Sequence, residues 1–271
     1  LIEALKYAGF DVLFTSNNHS LDRGIKGVER TIDIIKQNNL IPVGTFITKN
    51  ERDSALIIEK NGIRIGLLAY TYGLNGNLLP KIKSFAVNLI DTVLIRRDIE
   101  NLQNVKPDLI LVYYHFGEEY SQKPSKYQRD IVEKTILYGA DLIIGSHPHV
   151  IQPIEHFHSS KNRIGKGVIA YSLGNFISNQ RWRYSDAGVI LNIQISKNIF
   201  NDSLWIDDTS IIPTWVYKGV LGEKKEFVIL PADTSRFEII PKYLKENELF
   251  LMNQSFYDTK KMFLPDELTK K

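Results

Sequence analysis

Gly139-Ala140-Asp141-Leu142-Ile143-Ile144-Gly145-Ser146-His147-Pro148-His149 is the stretch from which the fold of this chain can be read. Its apolar centre, held between glycines at 139 and 145, has the pattern of a buried strand. Pro148 biases His147 away from helix toward extended backbone. Residues two apart on an extended backbone point to one side. The spacing therefore predicts two imidazoles, His147 and His149, presented together at the mouth of a strand. Neutral imidazoles converging in this way are good ligands for divalent Zn, Mn or Fe.

The same construction occurs twice more. Gly9-Phe10-Asp11-Val12-Leu13-Phe14-Thr15-Ser16 leads into Asn17-Asn18-His19, and Pro107-Asp108-Leu109-Ile110-Leu111-Val112-Tyr113-Tyr114 leads into His115. Each unit places Asp after a turn signal, runs through apolar or aromatic residues, and ends at a histidine. Continuous apolar runs suit parallel strands covered on both faces. Ligand crevices in open α/β sheets lie outside the carboxyl ends of the strands. The three units thus predict buried strands that open on one shared cleft. His156 and His158 alternate along a hairpin strand away from that rim and receive no function.

The composition excludes several classes. Net charge is +3, with no block of Lys or Arg, which argues against nucleic acid as a partner. Cysteine is absent, so disulfides and thiolate-bound zinc are excluded. The 43% hydrophobic and 24% charged content is that of an ordinary globular domain. Ile2, Leu5 and Ala8 read as the end of an amphipathic helix stopped by Gly9, so the chain is expected to open in mid-element.

Further along, Val28, Ile32 and Ile35 mark a helix, and Ile41-Pro42-Val43 a short strand. Asn61-Gly62 between Ala55 and Tyr70 is the strongest short-range hairpin signal. Asp91 caps a helix carrying Val93, Leu94, Ile95, Ile99 and Leu102. Ser125 and Gln128 have capping-box spacing. Strand, helix and strand alternate twice, which predicts a parallel α/β core. After His149 the texture turns to hairpins: Ile151 to His158 against Gly167 to Ser172 with a turn at Ser159–Asn162, then strands near Gly188–Ile195, Trp215–Tyr217 and Phe227–Leu230. The stretch from Arg236 to Met262 is expected to be helical, and Asp266 to Lys271 to be a frayed, charged tail.

Four segments in order, "NNHSLDRG", "YYHFGEEYSQKPSKYQRDI", "GADLIIGSHPHVIQPIE" and "IAYSLGNFI", resemble the bacterial capsule-synthesis proteins of the CapA type, which act in poly-γ-glutamate synthesis. Those in turn resemble the metallo-dependent phosphatase superfamily. The resemblance runs from about Gly9 to Ile177 and more weakly to Pro231. It implies an α/β fold, a four-layer α/β/β/α sandwich of two mixed sheets. It also implies a domain over residues 1–235, truncated at its N-terminus because the family's opening strand would precede Leu1, and a C-terminal helical extension over 236–271.

By position, the resemblance makes Asn18, His115, His147 and His149 metal ligands for as many as two divalent ions (Mn, Fe or Zn). His19 becomes the acid beside the leaving group. The sequence departs from the family at Asn17 and at Ser20, which stands where a carboxylate is usual, with Asp22 as a stand-in. The bridging aspartate would lie before Leu1. Glu118 and Glu119 either orient a ligand imidazole or are plain loop charges. Asn175 either caps a turn or meets substrate. Arg181 and Arg183 suit a carboxylate-rich or phosphorylated ligand, or belong to an exposed loop.

The implied function is biosynthesis or export of an anionic capsule polymer of the poly-γ-glutamate type, outside the cytoplasm. The protein would be anchored to the membrane through a segment beyond this chain and would work with other capsule-synthesis membrane proteins. The alternatives are a metal-dependent phosphoester hydrolase and a non-catalytic polymer-binding module.

Overall fold

Asn61 and Gly62 adopt φ of 51° and 77° in the computed structural model, which describes residues 1–161 and 164–263. Two successive positive φ values are what a tight type I′ hairpin requires. The turn joins Ile57–Lys60 to Ile63–Thr71 in antiparallel register, from Ile57 opposite Gly66 to Lys60 opposite Ile63.

In chain order the elements are α1 (Ile2–Tyr7), β1 (Val12–Phe14), α2 (Gly24–Gln37), β2 (Ile41–Val43), α3 (Lys49–Asp53), β3 (Ile57–Lys60) and β4 (Ile63–Thr71). There follow α4 (Thr92–Asn104), β5 (Leu109–His115), α5 (Lys126–Tyr138), β6 (Leu142–Ser146), β7 (Ile154–His158) and β8 (Lys166–Ala170). The chain closes with β9 (Ala187–Lys197), β10 (Leu204–Leu221), β11 (Lys224–Pro231) and α6 (Glu246–Phe263).

Local chemistry sets the ends of the crossover helices. Asp91 accepts from the backbone of Val93 and Leu94 at the start of α4. Ser125 and Gln128 form both halves of a capping box on α5, and Gly139 ends it at φ 108°. α4 and α5 return the chain to parallel neighbours, β4 to β5 and β5 to β6, and β8 pairs parallel with β6 after the antiparallel strand β7, giving the sheet order β3-β4-β5-β6-β8-β7.

One face of this sheet packs Ile110, Val112, Tyr114 and Ile143 against Ile95, Ile99 and Leu102 of α4 and Ile131 and Val132 of α5. The other face carries a second β layer in two pieces. The parallel pair β1-β2 packs Val12, Phe14 and Val43 on Leu67, Ala69, Leu111 and Tyr113. The antiparallel β11-β10-β9 sheet packs Leu191, Ile193 and Ile195 on Leu109, Leu142 and Val168. Outside these lie α2, through Val28 and Ile32, and α6, through Met252 against Trp215 and Leu230. The result is the four-layer α/β/β/α sandwich.

Three expectations are corrected. The strand leading to His19 is only half-buried and belongs to the second layer with β2, not to the sheet that holds β5 and β6. The C-terminal helix begins at Glu246 rather than near Arg236: a short 3₁₀ turn covers Thr234–Arg236, and Pro241, which cannot donate to a helix, lies in the irregular run between. The packing of α6 on β10 makes it the outer layer of the sandwich. The third correction concerns the backbone at His147 and is taken up with the site. Asn162 of the expected β7–β8 turn and the tail from Asp266 lie outside the described residues.

Among the described residues, β1 pairs only with β2, and β9 pairs along its length only with β10. Between them runs an apolar groove of about 680 Å³ lined by Phe10, Leu173, Phe176, Val189 and Leu191. β6 lies very close to the segment after β8. A Cβ on Gly145 would stand 2.0 Å from the Tyr171 carbonyl oxygen, so no larger residue fits there.

Candidate metal centre

β1, β5 and β6 come from two stacked layers, yet their carboxyl ends meet. His115 Nε2 lies 2.9 Å from Asn18 Oδ1. The His115 and His147 rings are 4.9 Å apart between centroids, and those of His147 and His149 6.1 Å. Tyr72, just past β4, covers His147 at 4.6 Å.

The two imidazoles of the His-Pro-His tripeptide do not converge by strand alternation. His147 has φ 106° and His149 φ 60°, so both stand in the left-handed half of backbone space rather than extended. The bias that Pro148 exerts on its neighbour is overridden by tertiary contacts, among them the Pro148 carbonyl accepting from Tyr120 N–H at 2.7 Å. Such conformations in non-glycine residues cost on the order of 1–3 kcal/mol each and persist where surrounding structure enforces them.

His19 sits on a turn built by its neighbours. Asn17 Oδ1 accepts from His19 N–H, while Ser20 Oγ accepts from Asn17 N–H and donates to the Thr15 carbonyl. Ser20 is thus consumed in holding the turn. Asp22 places a carboxylate oxygen 2.8 Å from His19 Nδ1 on the exposed rim. Asn18 Nδ2 donates to Asn75 Oδ1, a contact that sequence reading missed because Asn75 lies in an unremarkable loop 57 residues away.

The two loop acids are both exposed and differ in what they approach. Glu119 offers a carboxylate oxygen that, with one ring nitrogen each from His147 and His149, forms a set lying within 4.8 Å of one another. Glu118 is exposed and contributes its backbone carbonyl to Ser121 N–H. Asn175 contacts His149 directly, Nδ1 to Oδ1 at 3.0 Å. The two arginines are engaged with the β9–β11 and α6 layers. Arg183 pairs bidentately with Asp258, and the Arg181 guanidinium lies 4.7 Å over the Trp215 ring.

The donor set fits a divalent ion. His115 Nδ1 and His147 Nδ1 are buried with no hydrogen-bond partner among the described residues. Leaving a buried polar atom unpaired is costly, and a cation would satisfy it. Burial, and then the neighbouring imidazoles of His147, His149 and His19, push the His115 pKa down to about 3. Burial also lowers that of His147, against a raising influence from Glu119. Both rings are therefore neutral at physiological pH, the state a ligand needs.

Those shifts carry a stability consequence for the metal-free protein. The unfolded chain takes up a proton at these histidines near pH 6.5, whereas folded His115 does so only near pH 3. Stability is therefore complete above about pH 6.5 and declines as pH falls toward 3, by up to about 1.4 kcal/mol per pH unit per histidine. Denaturant titrations in chelator at pH 7.5 and 5 are expected to show this loss, and a His115→Asn variant is expected to show a shallower one. Equal slopes would mean that His115 protonates normally in the fold.

Residues 1–180 match the family model described as bacterial capsule synthesis protein PGA_cap. The chain is 33% identical over 201 residues to the capsule biosynthesis protein CapA of Bacillus anthracis, covering 73% of this chain and 47% of that protein. It is 30% identical over 198 residues to the PGA biosynthesis protein CapA of Bacillus subtilis, covering 73% and 50%. It thus spans about half the length of the curated relatives it matches. Among solved structures, a putative 5′-nucleotidase from Staphylococcus aureus aligns with TM-score 0.52 at 13% identity, over 94% of this chain and 44% of that one. The NAD nucleotidase of Haemophilus influenzae aligns with TM-score 0.50 at 13% identity, over 95% and 48%. These likenesses show a metallo-dependent phosphatase-like fold.

Proposed function

The chain belongs to the bacterial capsule synthesis protein family, and from that premise we propose that it serves the biosynthesis or export of an anionic capsule polymer of the poly-γ-glutamate type through a divalent-metal site. The observation that carries this reading is the convergence of Glu119, His147 and His149 beside buried ring nitrogens that lack partners among the described residues. Glu119, His147 and His149 would hold one ion, and Asn18 and His115 would contribute to a second position. A bound divalent ion supplies an activated water and charge stabilisation at an attacked ester or amide.

The chain's own residues do the remaining work. Asp22 holds His19 through Nδ1, which leaves Nε2 to hand a proton to a leaving group. Tyr72 shields the His147 ring from solvent. The reading places the protein outside the cytoplasm among membrane-bound capsule-synthesis proteins. No helix among the described residues is long and apolar enough to cross a membrane.

The His19–Asp22 pair also favours a second reading, hydrolysis of a phosphoester. Calorimetric titration of the protein with Mn, Fe and Zn, followed by incubation with poly-γ-glutamate and with a panel of phosphoesters, separates the two. Metal binding with retention or cleavage of the polymer supports the first. Cleavage of phosphoesters without polymer binding selects the second. Failure to bind any of the three metals removes both and leaves a polymer-binding module.

A further inference from the structure

Asn175 follows β8 in the Leu173-Gly174-Asn175-Phe176 turn and is only 9% exposed. Its amide meets three groups: His149 Nδ1 at 3.0 Å, the Ser185 carbonyl at 2.8 Å and Gln180 Oε1 at 3.3 Å. One of these has a fixed polarity. A backbone carbonyl only accepts, so Ser185 must face the Asn175 NH₂ group, and the amide oxygen is left for His149. An amide oxygen also only accepts, so the proton between them belongs to His149 Nδ1.

The same polarity runs onward. The second Asn175 N–H goes to Gln180 Oε1, which turns Gln180 Nε2 toward the Tyr120 hydroxyl at 3.1 Å. The Tyr120 ring then lies against His149, 5.9 Å between centroids and 25° between planes, and closes the circuit. His149 is held at its edge by the amide and on its face by the phenol. The arrangement at His115 is different. Asn18 faces its Nε2, but the next amide in that chain, Asn75, is exposed and meets no backbone carbonyl among the described residues that would fix its direction.

We infer that Asn175, backed by Gln180 and Tyr120, is a positioning residue that locks His149 in its Nδ1–H tautomer and so reserves Nε2 for a divalent cation. The opposite tautomer would set two lone pairs face to face at 3.0 Å, or turn the Asn175 oxygen onto the Ser185 carbonyl. Partners of this kind orient a ligand imidazole, and losing one typically costs about 10–100-fold in metal affinity. The cation half of the inference rests on the metal-site reading above; the tautomer half does not.

The test has two independent readouts. Two-bond ¹⁵N–¹H spectra of histidine-labelled, metal-free protein, at a pH where the ring is neutral, are expected to show His149 as Nδ1–H. Calorimetric titration with Mn and Zn then compares the wild type with Asn175→Leu, Asn175→Asp and Gln180→Leu. Asn175→Leu is expected to give mixed tautomers and a loss of about 10–100-fold in affinity. Asn175→Asp still accepts from Nδ1–H and is expected to keep the tautomer, but it sets a carboxylate oxygen against the Ser185 carbonyl and is expected to recover the affinity only in part. Gln180→Leu, at a half-buried position that leaves the core intact, is expected to show a smaller loss in the same direction. An Nε2–H ring in the wild type, or full affinity in Asn175→Leu, would overturn the inference. An Nδ1–H ring in a protein that binds neither metal would sink the metal reading and the reservation of Nε2, while the tautomer lock would stand.

Discussion

Replacing His147 by alanine will weaken binding of Mn, Fe or Zn by more than the roughly 10–100-fold that follows when only a residue behind a ligand is removed. His147 stands between the two halves of the centre, 4.9 Å from the His115 ring and 6.1 Å from that of His149, and belongs to the Glu119 group as well. It is 5% exposed, and its Nδ1 has no protein partner among the described residues. Removing it therefore takes a donor from one position and loosens the other. Alanine keeps a Cβ, so the left-handed backbone at this residue is still demanded and the change isolates the imidazole. His156→Ala on β7 is the control and should leave affinity unchanged. Wild-type affinity in His147→Ala would refute the assignment of this ring as a ligand.

A larger effect on stability is expected far from the histidines. Arg52 of α3 and Asp98 of α4 form a bidentate pair at 3.1 and 2.6 Å, and the Tyr70 hydroxyl of β4 donates to the same carboxylate at 2.7 Å. The side chains are 8% and 4% exposed. Asp98→Ala leaves a guanidinium and a phenol buried without their acceptor, a lesion that typically costs about 3–5 kcal/mol. For a domain of this size the corresponding fall in Tm is roughly 6–20 °C. The triple variant Arg52→Met, Tyr70→Phe, Asp98→Leu removes both charges and the orphaned hydroxyl and should recover much of that loss, because a buried pair and a well-packed apolar pair are often close in free energy. A single variant that melts with the wild type would show that the pair contributes nothing.

The parts of this protein that are legible in its sequence are those fixed by neighbours along the chain. Asn61-Gly62 dictates its hairpin, Ser125 and Gln128 their capping box, and the Asp-apolar-His units their strands, because each is decided within a few residues. The resemblance of four ordered segments carried the rest of the fold. What could not be read depends on partners distant in sequence. Arg183 finds Asp258 75 residues away, a pairing that no local pattern announces. Nothing local distinguishes Glu119 from Glu118; the approach of the β5 loop to His147 and His149 does. Asn175 reads as a turn cap or a substrate contact because its three amide partners, Gln180, Ser185 and His149, meet it only in the folded chain. The strand before His19 carries the same apolar run as its two counterparts, and periodicity cannot say which sheet receives it.

The left-handed backbone at His147 and His149 sets two selective pressures against each other. At φ 106° and 60° the fold by itself would be better served by glycine, which would relieve about 1–2 kcal/mol of steric conflict at either residue. Selection for stability alone would therefore favour glycine at both positions, and imidazoles would persist there only under a separate requirement, such as binding a ligand. A lineage freed from that requirement would be expected to drift to glycine at these two positions while keeping the sandwich intact. In the laboratory, His147→Gly should resist denaturant better than His147→Ala although both lack the ring. On the metal-site reading, these two residues are thus markers by which descendants that need the centre can be told from those that have kept only the scaffold.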